Sequence, residues 1–500
     1  MPFWSLVAAL VIAIFVALAM LGLVLLFAQG PMRRWVARTI ESWLEAVLRR
    51  SSQAYPSNPM GLLPVVQKVG ALGLMELRIR ATTGQPPSRP MGSPLPLSPW
   101  DRLMLGFSHL QPMPTADDTP VDLSVVVGPK AKRPLKVPLP VFIAPMSYGG
   151  ALSLKARIAL AKAAGEVGTA TNSGEGVFIA EERQWAKHYI MQYHRGTWPH
   201  SPQNQWEVLK QADAIEIQLG QGAQGSAPMR DQPQAIHPEM QRRFGLKPGE
   251  PATISARLKG IDDPKALIAL VKRLKQEFEV PVGVKLAATH RLEQELEILL
   301  DAELDFITLD GAEGGTHGGP PILQDAMGLP TLWAIARAHR WLERQGATDR
   351  VSLLATGGLI EPGDFLKALA LGATACYSGT PVALALLCNQ IDEAVMATAP
   401  AYALILQSTE SLNDRLDIEQ AKSHVVRLFS AWRTEWDLAM RAMGKTRIDQ
   451  LTRADLVALE RSLAQDLEIA YVGGEEPANL GPRWWAGGEE PASTASRTVH

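Results

Sequence analysis

The sequence contains little cysteine and no excess of either charge. Only Cys376 and Cys388 occur among 500 residues, too few for a disulfide framework or a cysteine-rich metal site. Lysine and arginine together number 49, aspartate and glutamate together number 51, and the net charge is -2. Proteins that bind nucleic acid through its phosphates usually carry a basic patch, and none is present. We therefore expect no nucleic-acid partner.

Charge is also missing from one long stretch near the amino terminus. Residues Phe3 to Ala28 are all uncharged, and a helix of that length reaches roughly 39 Å, more than the roughly 30 Å hydrocarbon core of a bilayer. No basic residue precedes the stretch, which is unlike a signal peptide. By the positive-inside rule, the pattern predicts a single-pass membrane protein whose catalytic domain lies in the cytoplasm. The basic residues on which this orientation depends are Arg33, Arg34, Arg38, Arg49 and Arg50.

The chain divides into segments of different composition. Residues 1–30 are the predicted transmembrane anchor, and 31–119 contain a predicted interfacial helix and a proline-rich connector. For the helix, an ordinary surface helix packed on the domain is the alternative. Residues 120–400 are the regular α/β region and 401–472 a helical extension, in which Thr452 and Asp455 form a capping box. Residues 473–500 repeat "GGEEPA" and are predicted to be disordered.

In the regular region, short apolar runs alternate with helical patterns. This alternation predicts an α/β fold, specifically a (β/α)8 TIM-type barrel, because eight strands close a barrel. An open doubly wound sheet is the alternative, but glycine-rich or polar turns follow most strands. The predicted strands are Val141–Ala144, Gly168–Thr171, Tyr189–Gln192, Ala214–Gln218, Val280–Leu286, Asp305–Leu309, Val351–Ala355 and Thr374–Tyr377. The predicted helices include Leu154–Val167, Pro264–Phe278, Leu292–Asp301, Thr331–Gln345, Pro362–Leu371 and Pro381–Cys388.

The turns after the last two strands have the composition of an anion site. Gly357 and Gly358 follow the seventh strand, and Gly379 and Thr380 open the helix after the eighth. Backbone N–H groups at glycine turns and helix N-termini attract anions, and barrels commonly bind phosphate at these two turns. The sixth strand leads into "LDGAEGGTHGG", whose glycines would let a backbone approach a ligand closely.

Taken together, the strand-end motifs resemble those of a known family. "APMSYGGALS", "TNSGEG", "QLGQGAQG", "GVKLA", "LDGAEGGTHGG", "ATGGL" and "YSGTPVAL" are similar, in order and spacing, to the FMN-binding synthase domain of glutamate synthases. The similarity runs from about Pro120 to Ala401. It implies that residues 120–400 form an FMN-bearing barrel that reduces a 2-imino acid, made from 2-oxoglutarate and ammonia, to glutamate.

The resemblance also implies roles for individual residues. Lys285 would stabilise negative charge on reduced flavin, and Glu175 would handle protons or position a substrate amine. These two are the predicted catalytic residues. The residues predicted to bind FMN are Ala144, Pro145, Met146, Ser147, Asn172, Gln192, Lys285, Gly311, Gly314, Gly315, Thr316, Gly357, Gly358, Gly379 and Thr380.

The sequence departs from the family in several places. Cys388 stands alone where the family has a cysteine cluster, so no iron–sulfur cluster is expected, and electrons would come from a separate donor protein. The family begins with a glutaminase domain, and because the apolar stretch stands at the start of this sequence we expect none here. Gln224 replaces a lysine that helps to hold the keto acid, and Arg257 is a candidate clamp for a substrate carboxylate.

His317 has no second histidine at ligand spacing, so no metal site is expected.

These departures leave two other functions open. One is an FMN barrel that acts on another amine, such as a synthase for an N-substituted glutamate. The other is a flavin-binding membrane scaffold that has lost turnover, against which the retained Lys285 and Glu175 argue. A barrel of the inosine-phosphate-dehydrogenase type would need a nucleophilic cysteine that the corresponding loop lacks.

Overall fold

The computed structural model describes residues 34–35, 38–46, 49, 63–110, 112–232, 236–316, 318–391, 401–406 and 410–474. The chain forms two compact units, Met1–Pro87 and Ser88–His500. The first contains the helix α1, which is interrupted at Gly70, where the backbone is not helical. The predicted anchor, Phe3–Ala28, lies outside the described residues, as do residues 475–500 of the predicted tail. Across the residues that are described, none of the helices combines the length and apolarity needed to span a bilayer.

Numbered along the chain, the strands are β1 (Leu103–Leu105), β2 (Val125–Val127), β3 (Leu135–Val137), β4 (Val141–Ile143), β5 (Ala170–Asn172), β6 (His188–Tyr193), β7 (Ala214–Gln218), β8 (Met229–Asp231), β9 (Ala252–Ile254), β10 (Val282–Ala287), β11 (Phe306–Asp310), β12 (Ser352–Thr356), β13 (Ala375–Ser378), β14 (Leu456–Ala458) and β15 (Ala470–Tyr471). The α-helices are α1 (Leu63–Thr83), α2 (Leu154–Val167), α3 (Ala180–Arg183), α4 (Pro238–Phe244), α5 (Pro264–Glu277), α6 (Leu292–Asp301), α7 (Pro321–Asp325), α8 (Thr331–Arg344), α9 (Pro362–Ala370), α10 (Thr380–Leu387), α11 (Glu410–Asn413), α12 (Ile418–Ala442) and α13 (Arg461–Leu467).

The second unit is built on a closed barrel. In the part of the chain that the structure describes, eight parallel strands pair in the order β4-β5-β6-β7-β10-β11-β12-β13 and close back on β4. The TIM-type barrel predicted from the sequence is confirmed. Its strands are buried almost throughout, as parallel strands covered by helices must be. The helix α2 shows how local signals fix the elements: Ser153 caps its first turn and Gly168 ends it in a left-handed conformation.

The hairpin β2–β3 lies against the amino-terminal ends of the barrel strands. The backbone N–H of Gly128 donates to Ser352 Oγ at 3.1 Å, and that of Arg133 donates to the Glu279 carbonyl at 2.9 Å. Because these partners stand at the starts of β12 and β10, the hairpin covers that end. A ligand therefore enters from the carboxyl ends of the strands.

The carboxyl-terminal extension packs on the outside of the barrel. The helix α12 lies against α2, α9 and α10. Its Trp432 packs on Phe365 of α9, with ring centroids 5.1 Å apart, and Trp436 Nε1 donates to the Pro362 carbonyl at 3.0 Å. A helical extension is thus present through Ala442.

Within the predicted helical extension of residues 401–472, the segment after Thr452 does not begin as an α-helix. Asp455 Oδ2 does accept from the Thr452 N–H at 2.7 Å, but this capping box begins only a short 3-10 turn. The next residues form β14, which pairs antiparallel with β1. Pairing with a distant strand overrides the local helical pattern, because it provides β14 with backbone hydrogen bonds and buries Leu456 and Ala458.

Two segments near the barrel mouth were not predicted as structured parts of it. The first is an insertion between β7 and β10 that contains the antiparallel ribbon β8–β9 and the helix α4. The second is the end of the proline-rich connector, from Ser88 onward. There Arg89 Nη2 lies 2.5 Å from Asp325 Oδ1, and the Met91 N–H donates to the Thr316 carbonyl at 3.0 Å. This part of the connector covers the glycine-rich stretch that follows β11.

Candidate functional site

A cavity of about 430 Å³ opens at the carboxyl ends of the barrel strands. Most of the turns that follow the strands contribute to it, together with the connector and the insertion. Twelve residues predicted from the sequence line its wall. They are Ala144, Pro145, Met146, Ser147, Glu175, Lys285, Gly315, Thr316, Gly357, Gly358, Gly379 and Thr380.

Lys285 is held at the carboxyl end of β10 as a buried ammonium. Its Nζ lies 2.9 Å from Asp310 Oδ2, and the two side chains are only 3% and 4% exposed. Burial alone would lower the pKa of Lys285, but the carboxylates of Asp310, Glu216 and Glu175 outweigh that effect and raise it. The side chain is therefore a fixed positive charge at the cavity wall.

Glu175 follows β5 and lies in the same wall. Burial raises the pKa of its carboxyl above the ordinary value, although the nearby charges of Arg195 and Lys285 oppose that shift. Arg195 Nη2 is 3.5 Å from Glu175 Oε1, and Oε1 accepts no hydrogen bond from any described residue. Glu175 is therefore a buried carboxyl group of the cavity wall with a raised pKa.

Arg195 lies behind Glu175 and was not predicted. Its Nε donates to Gln218 Oε1 at 3.2 Å, and the side chain is fully buried. Burial lowers its pKa, while Glu175 opposes the shift, and a guanidinium remains charged throughout the ordinary pH range. The available signal was an arginine directly after the buried strand in "YIMQYHRG".

Glu216, in the middle of β7, organises the floor beneath the cavity. Its carboxylate accepts hydrogen bonds from Gln192 Nε2 at 2.7 Å, Thr308 Oγ1 at 2.6 Å, Asn172 Nδ2 at 2.9 Å and the Tyr377 hydroxyl at 3.3 Å. Glu216 was missed, although an acid inside the apolar strand "AIEIQ" marks an unusual buried charge.

This network changes the interpretation of two predicted FMN residues. Asn172 and Gln192 lie outside the cavity lining. Their amide nitrogens donate to Glu216 in the floor. Asn172 Oδ1 in turn accepts from the Gly174 N–H at 3.0 Å. Both residues position the floor and the neighbouring turn, and their predicted contact with FMN stays a prediction.

Arg157, on α2, ties two of the turns together. It is fully buried and pairs with Glu182. Its Nη1 donates to the Met146 carbonyl at 2.6 Å, and its Nη2 donates to the Asn172 carbonyl at 2.8 Å. The segment after β4 is therefore fixed from beneath by one guanidinium, which the sequence signalled only as an arginine within an alanine-rich helix.

The glycine turns fall into two groups. Gly357 and Gly358 have φ of 108° and 67°, and their N–H groups, like that of Gly379, donate to no other described residue. Thr380 begins α10, and the first N–H groups of a helix lack acceptors within it. These groups fit an anionic oxygen-rich ligand.

Gly311 and Gly314 belong to the second group, and neither lines the cavity. Their N–H groups already donate to the carbonyls of Thr356 and Gly311, at 3.0 and 2.9 Å. A Cβ on Gly311 would lie 1.9 Å from Thr331 Oγ1, and one on Gly314 would lie 2.2 Å from Asp310 Oδ1. These two glycines have a packing role, and their predicted contact with phosphate stays a prediction.

The predicted substrate residues also lie outside the cavity lining. Gln224 is buried, and its Nε2 donates to the Ala227 carbonyl at 3.3 Å, while Gln221 reaches the cavity instead. Arg257 is 72% exposed and pairs with Asp262 at 3.4 Å on the surface. Their positions do not support contact with a substrate.

The structure describes both cysteines and most of the acidic and histidine side chains near the cavity. His317 lies outside the described residues, and those that are described contain no cluster of three or more histidine, cysteine or acidic residues able to hold a metal. Cys376 is buried in β13 and Cys388 is exposed. Burial raises the pKa of the Cys376 thiol, which keeps it protonated.

Comparison with known proteins places the chain in a family. Residues 109–446 match the family model described as the conserved region in glutamate synthase. An archaeal-type glutamate synthase (NADPH) of Thermotoga neapolitana is 29% identical over 428 residues, covering 80% of this chain and 82% of that protein. A glutamate synthase large subunit-like protein of Rhizobium meliloti is 29% identical over 418 residues, covering 80% and 93%.

An archaeal glutamate synthase (NADPH) of Methanocaldococcus jannaschii is 33% identical over 319 residues, which cover 63% of this chain and 61% of that protein. The chain thus spans less than two thirds of this relative. The match to the family model nevertheless extends over more than half of the chain and includes the whole barrel with its cavity. The chain therefore belongs to the glutamate synthase family of oxidoreductases.

Proposed function

We propose that this protein is an FMN-dependent oxidoreductase that acts on a carbon–nitrogen bond. The observation that carries the proposal is the position of Lys285 and Glu175, which face one cavity together with the glycine turns after β12 and β13. The names of the relatives make formation of glutamate from 2-oxoglutarate and ammonia the first candidate reaction. Conversion of another amine, such as an N-substituted glutamate, is the second.

The residues of the cavity fit FMN. The free N–H groups of Gly357, Gly358 and Gly379 suit a phosphate, and the backbone at these turns approaches the cavity without a Cβ. Residues Ala144–Ser147 would support the flavin ring, and Lys285 would supply positive charge beside it. When bound, FMN takes up or gives two electrons as a hydride.

The protein's own groups would manage the accompanying proton and charge. Oxidation of an amine removes a hydride from carbon and a proton from nitrogen, and reduction of an imine adds both. Glu175 is the group in the wall that can hold this proton, because burial raises the pKa of its carboxyl. The Lys285 ammonium, held in place by Asp310, would stabilise negative charge that develops in the cavity.

The source of electrons and the cellular position are further parts of the proposal. Because the sequence contains only two cysteines, we propose that a separate protein delivers electrons to the flavin. We also propose that residues 1–30 anchor the protein in a membrane with the barrel on the cytoplasmic side. A reporter fused after His500 should be active in the cytoplasm, and activity only outside it would reverse the orientation.

The main test begins with the colour of the purified full-length protein. It should be yellow, and denaturation should release FMN in about one equivalent. Protein that is colourless and does not take up added FMN would refute the proposal. Anaerobic photoreduction, followed by addition of 2-oxoglutarate with ammonium or of candidate imines, should then identify an acceptor that reoxidises the flavin.

A further inference from the structure

One side of the cavity is built from apolar side chains of the insertion and of the loop after β6. Trp198 and Phe244 pack with ring centroids 4.6 Å apart and are 3% and 1% exposed. Their tight burial means that they form this wall without rearrangement. We call the set the apolar wall: Trp198, Met229, Met240, Phe244, Ala252 and Ile254.

The carboxylate of Asp231 lies on the same side of the cavity as the apolar wall. Residues of a strand alternate between its faces, so Met229 and Asp231 of β8 share the face toward the cavity. Arg230, between them, is exposed on the opposite face. Among the described residues, none forms an ion pair or a side-chain hydrogen bond with the Asp231 carboxylate. Asp231 therefore presents a negative charge beside the apolar wall.

The ionisable side chains that line the cavity include more acids than bases. Those in the described wall are Glu175, Asp231, Asp310 and Glu313, against one basic side chain, Lys285. Lys285 already pairs with Asp310. The gaps in the described part of residues 88–474 contain no lysine or arginine in the sequence.

A dicarboxylate is a poor match for this wall. 2-Oxoglutarate would place two negative charges in a partly desolvated space that holds four carboxyl groups and no unpaired ammonium among its described residues. Arg195 does not line the cavity, and its charge offsets that of Glu175, with which it pairs at 3.5 Å. The predicted clamp, Arg257, lies on the surface.

We propose that the cavity takes an amine that carries an apolar group, and that Asp231 selects its ammonium while the apolar wall receives the apolar group. This inference rests on the proposed FMN-dependent chemistry at a carbon–nitrogen bond, and it replaces the two dicarboxylate candidates named there with apolar amines. Asp231 lies opposite Ala252 of the apolar wall in the β8–β9 ribbon, and a carboxylate beside an apolar surface suits an ammonium joined to an apolar body. Asp231 acts here as a specificity residue.

The test uses full-length holoprotein and three probes that share or exchange these features. Phenethylamine and 3-phenylpropionate have the same aromatic body and opposite charges, and 2-oxoglutarate is the dicarboxylate. Binding is followed by the change in flavin absorbance and by calorimetry. Phenethylamine should bind at least about tenfold more tightly than either anion. Tighter binding of 2-oxoglutarate, or no binding of any probe, would overturn the inference.

Two variants test whether Asp231 is the residue that selects the ammonium group. Asp231→Asn should weaken binding of phenethylamine about tenfold and should not weaken binding of 3-phenylpropionate. Asp262→Asn makes the same chemical change at a carboxylate that is 81% exposed on the surface, and it should leave all three affinities unchanged. Equal effects of the two substitutions would refute the role of Asp231.

The outcomes separate this inference from the proposed function. A yellow protein that releases FMN but prefers 2-oxoglutarate would contradict only the assigned substrate class. A colourless protein that does not take up FMN would contradict the proposed function itself. Circular dichroism and FMN content, measured on each variant, show that a change in affinity does not come from loss of the fold.

Discussion

Lys285 and Asp310 form an ion pair on neighbouring strands of the barrel, with Nζ 2.9 Å from Oδ2 and neither side chain more than 4% exposed. The other carboxylate oxygen, Oδ1, occupies the space next to Gly314, where a Cβ would lie 2.2 Å away. The glycine-rich stretch after β11 thus makes room for the acid that holds the lysine. Its glycines serve the electrostatics of the cavity as much as any direct contact with a ligand.

Replacing Lys285 by methionine should destabilise the protein by about 3–5 kcal/mol, because Asp310 would remain buried without a counter-charge. Adding Asp310→Asn should recover part of that loss, and chemical denaturation of the four proteins of this cycle measures the coupling. Lys210→Met removes an exposed lysine that pairs with Glu207 and should cause no measurable change. Additive effects at Lys285 and Asp310 would contradict a coupled pair.

Glu175 should give the reaction a pH dependence. Burial raises the pKa of its carboxyl. If the protonated form donates to a substrate nitrogen, kcat/KM falls as the pH rises through that raised pKa. Glu175→Gln should abolish this fall of kcat/KM with rising pH and should lower kcat by about 10²–10⁴-fold.

The profile is measured as the rate of flavin reoxidation by the acceptor identified above. The matched control is Glu297→Gln, at an exposed position on α6. It should preserve both the rate and the fall of kcat/KM with rising pH. A Glu175→Gln protein with an unchanged pH profile would exclude Glu175 as the titrating group.

Gly357→Ala should weaken both the fold and the retention of FMN. The residue has φ of 108°, and a Cβ would lie 2.8 Å from Thr331 Oγ1 and 3.1 Å from the Gly314 nitrogen. Strain of this kind costs about 1–3 kcal/mol, and Tm and flavin content should fall together. Gly363→Ala, in α9 where a Cβ meets nothing within 4 Å, should instead stabilise the protein by about 0.5–1 kcal/mol. Equal Tm values for the two variants would contradict this assignment.

His194 should make stability depend on mildly acidic pH. Its Nε2 lies 2.7 Å from the Gly176 carbonyl, and its Nδ1 accepts from the Gly196 N–H at 3.0 Å. Burial lowers the pKa of the ring from 6.5 to about 4. Between these values the unfolded chain binds the proton and the folded protein does not, so stability decreases as the pH falls.

The expected loss from this residue is about 3 kcal/mol between pH 6.5 and pH 4. It can be measured as the free energy of unfolding across that range. His194→Gln should flatten this part of the profile, whereas His290→Gln, at an exposed position, should not. An unchanged slope in His194→Gln would show that other groups cause the acid sensitivity.

The barrel could be predicted because short local sequence patterns define its strands and helices. The strand Ala214–Gln218 and the helix Leu154–Val167 have the bounds expected from the sequence. Apolar runs of strand length, and a serine and a glycine at the two ends of the helix, depend only on neighbouring residues. The barrel's general architecture then determined which turns meet at one end.

Site residues could be predicted only where each one reaches the cavity from the end of its own strand. Lys285 and the glycines after β12 reach the cavity from their own strand ends. By contrast, Glu216 acts through Thr308 and Tyr377, and Arg157 acts through the Met146 carbonyl. Those partners are distant in sequence, and the spacing of residues does not encode which of them meet.

The pairing of β1 with β14 joins Leu103–Leu105 to Leu456–Ala458, close to the two ends of the barrel unit. During translation, β1 leaves the ribosome before all eight barrel strands, while its partner emerges after the last of them. The pairing of β1 with β14 therefore forms only after all eight barrel strands have been synthesised.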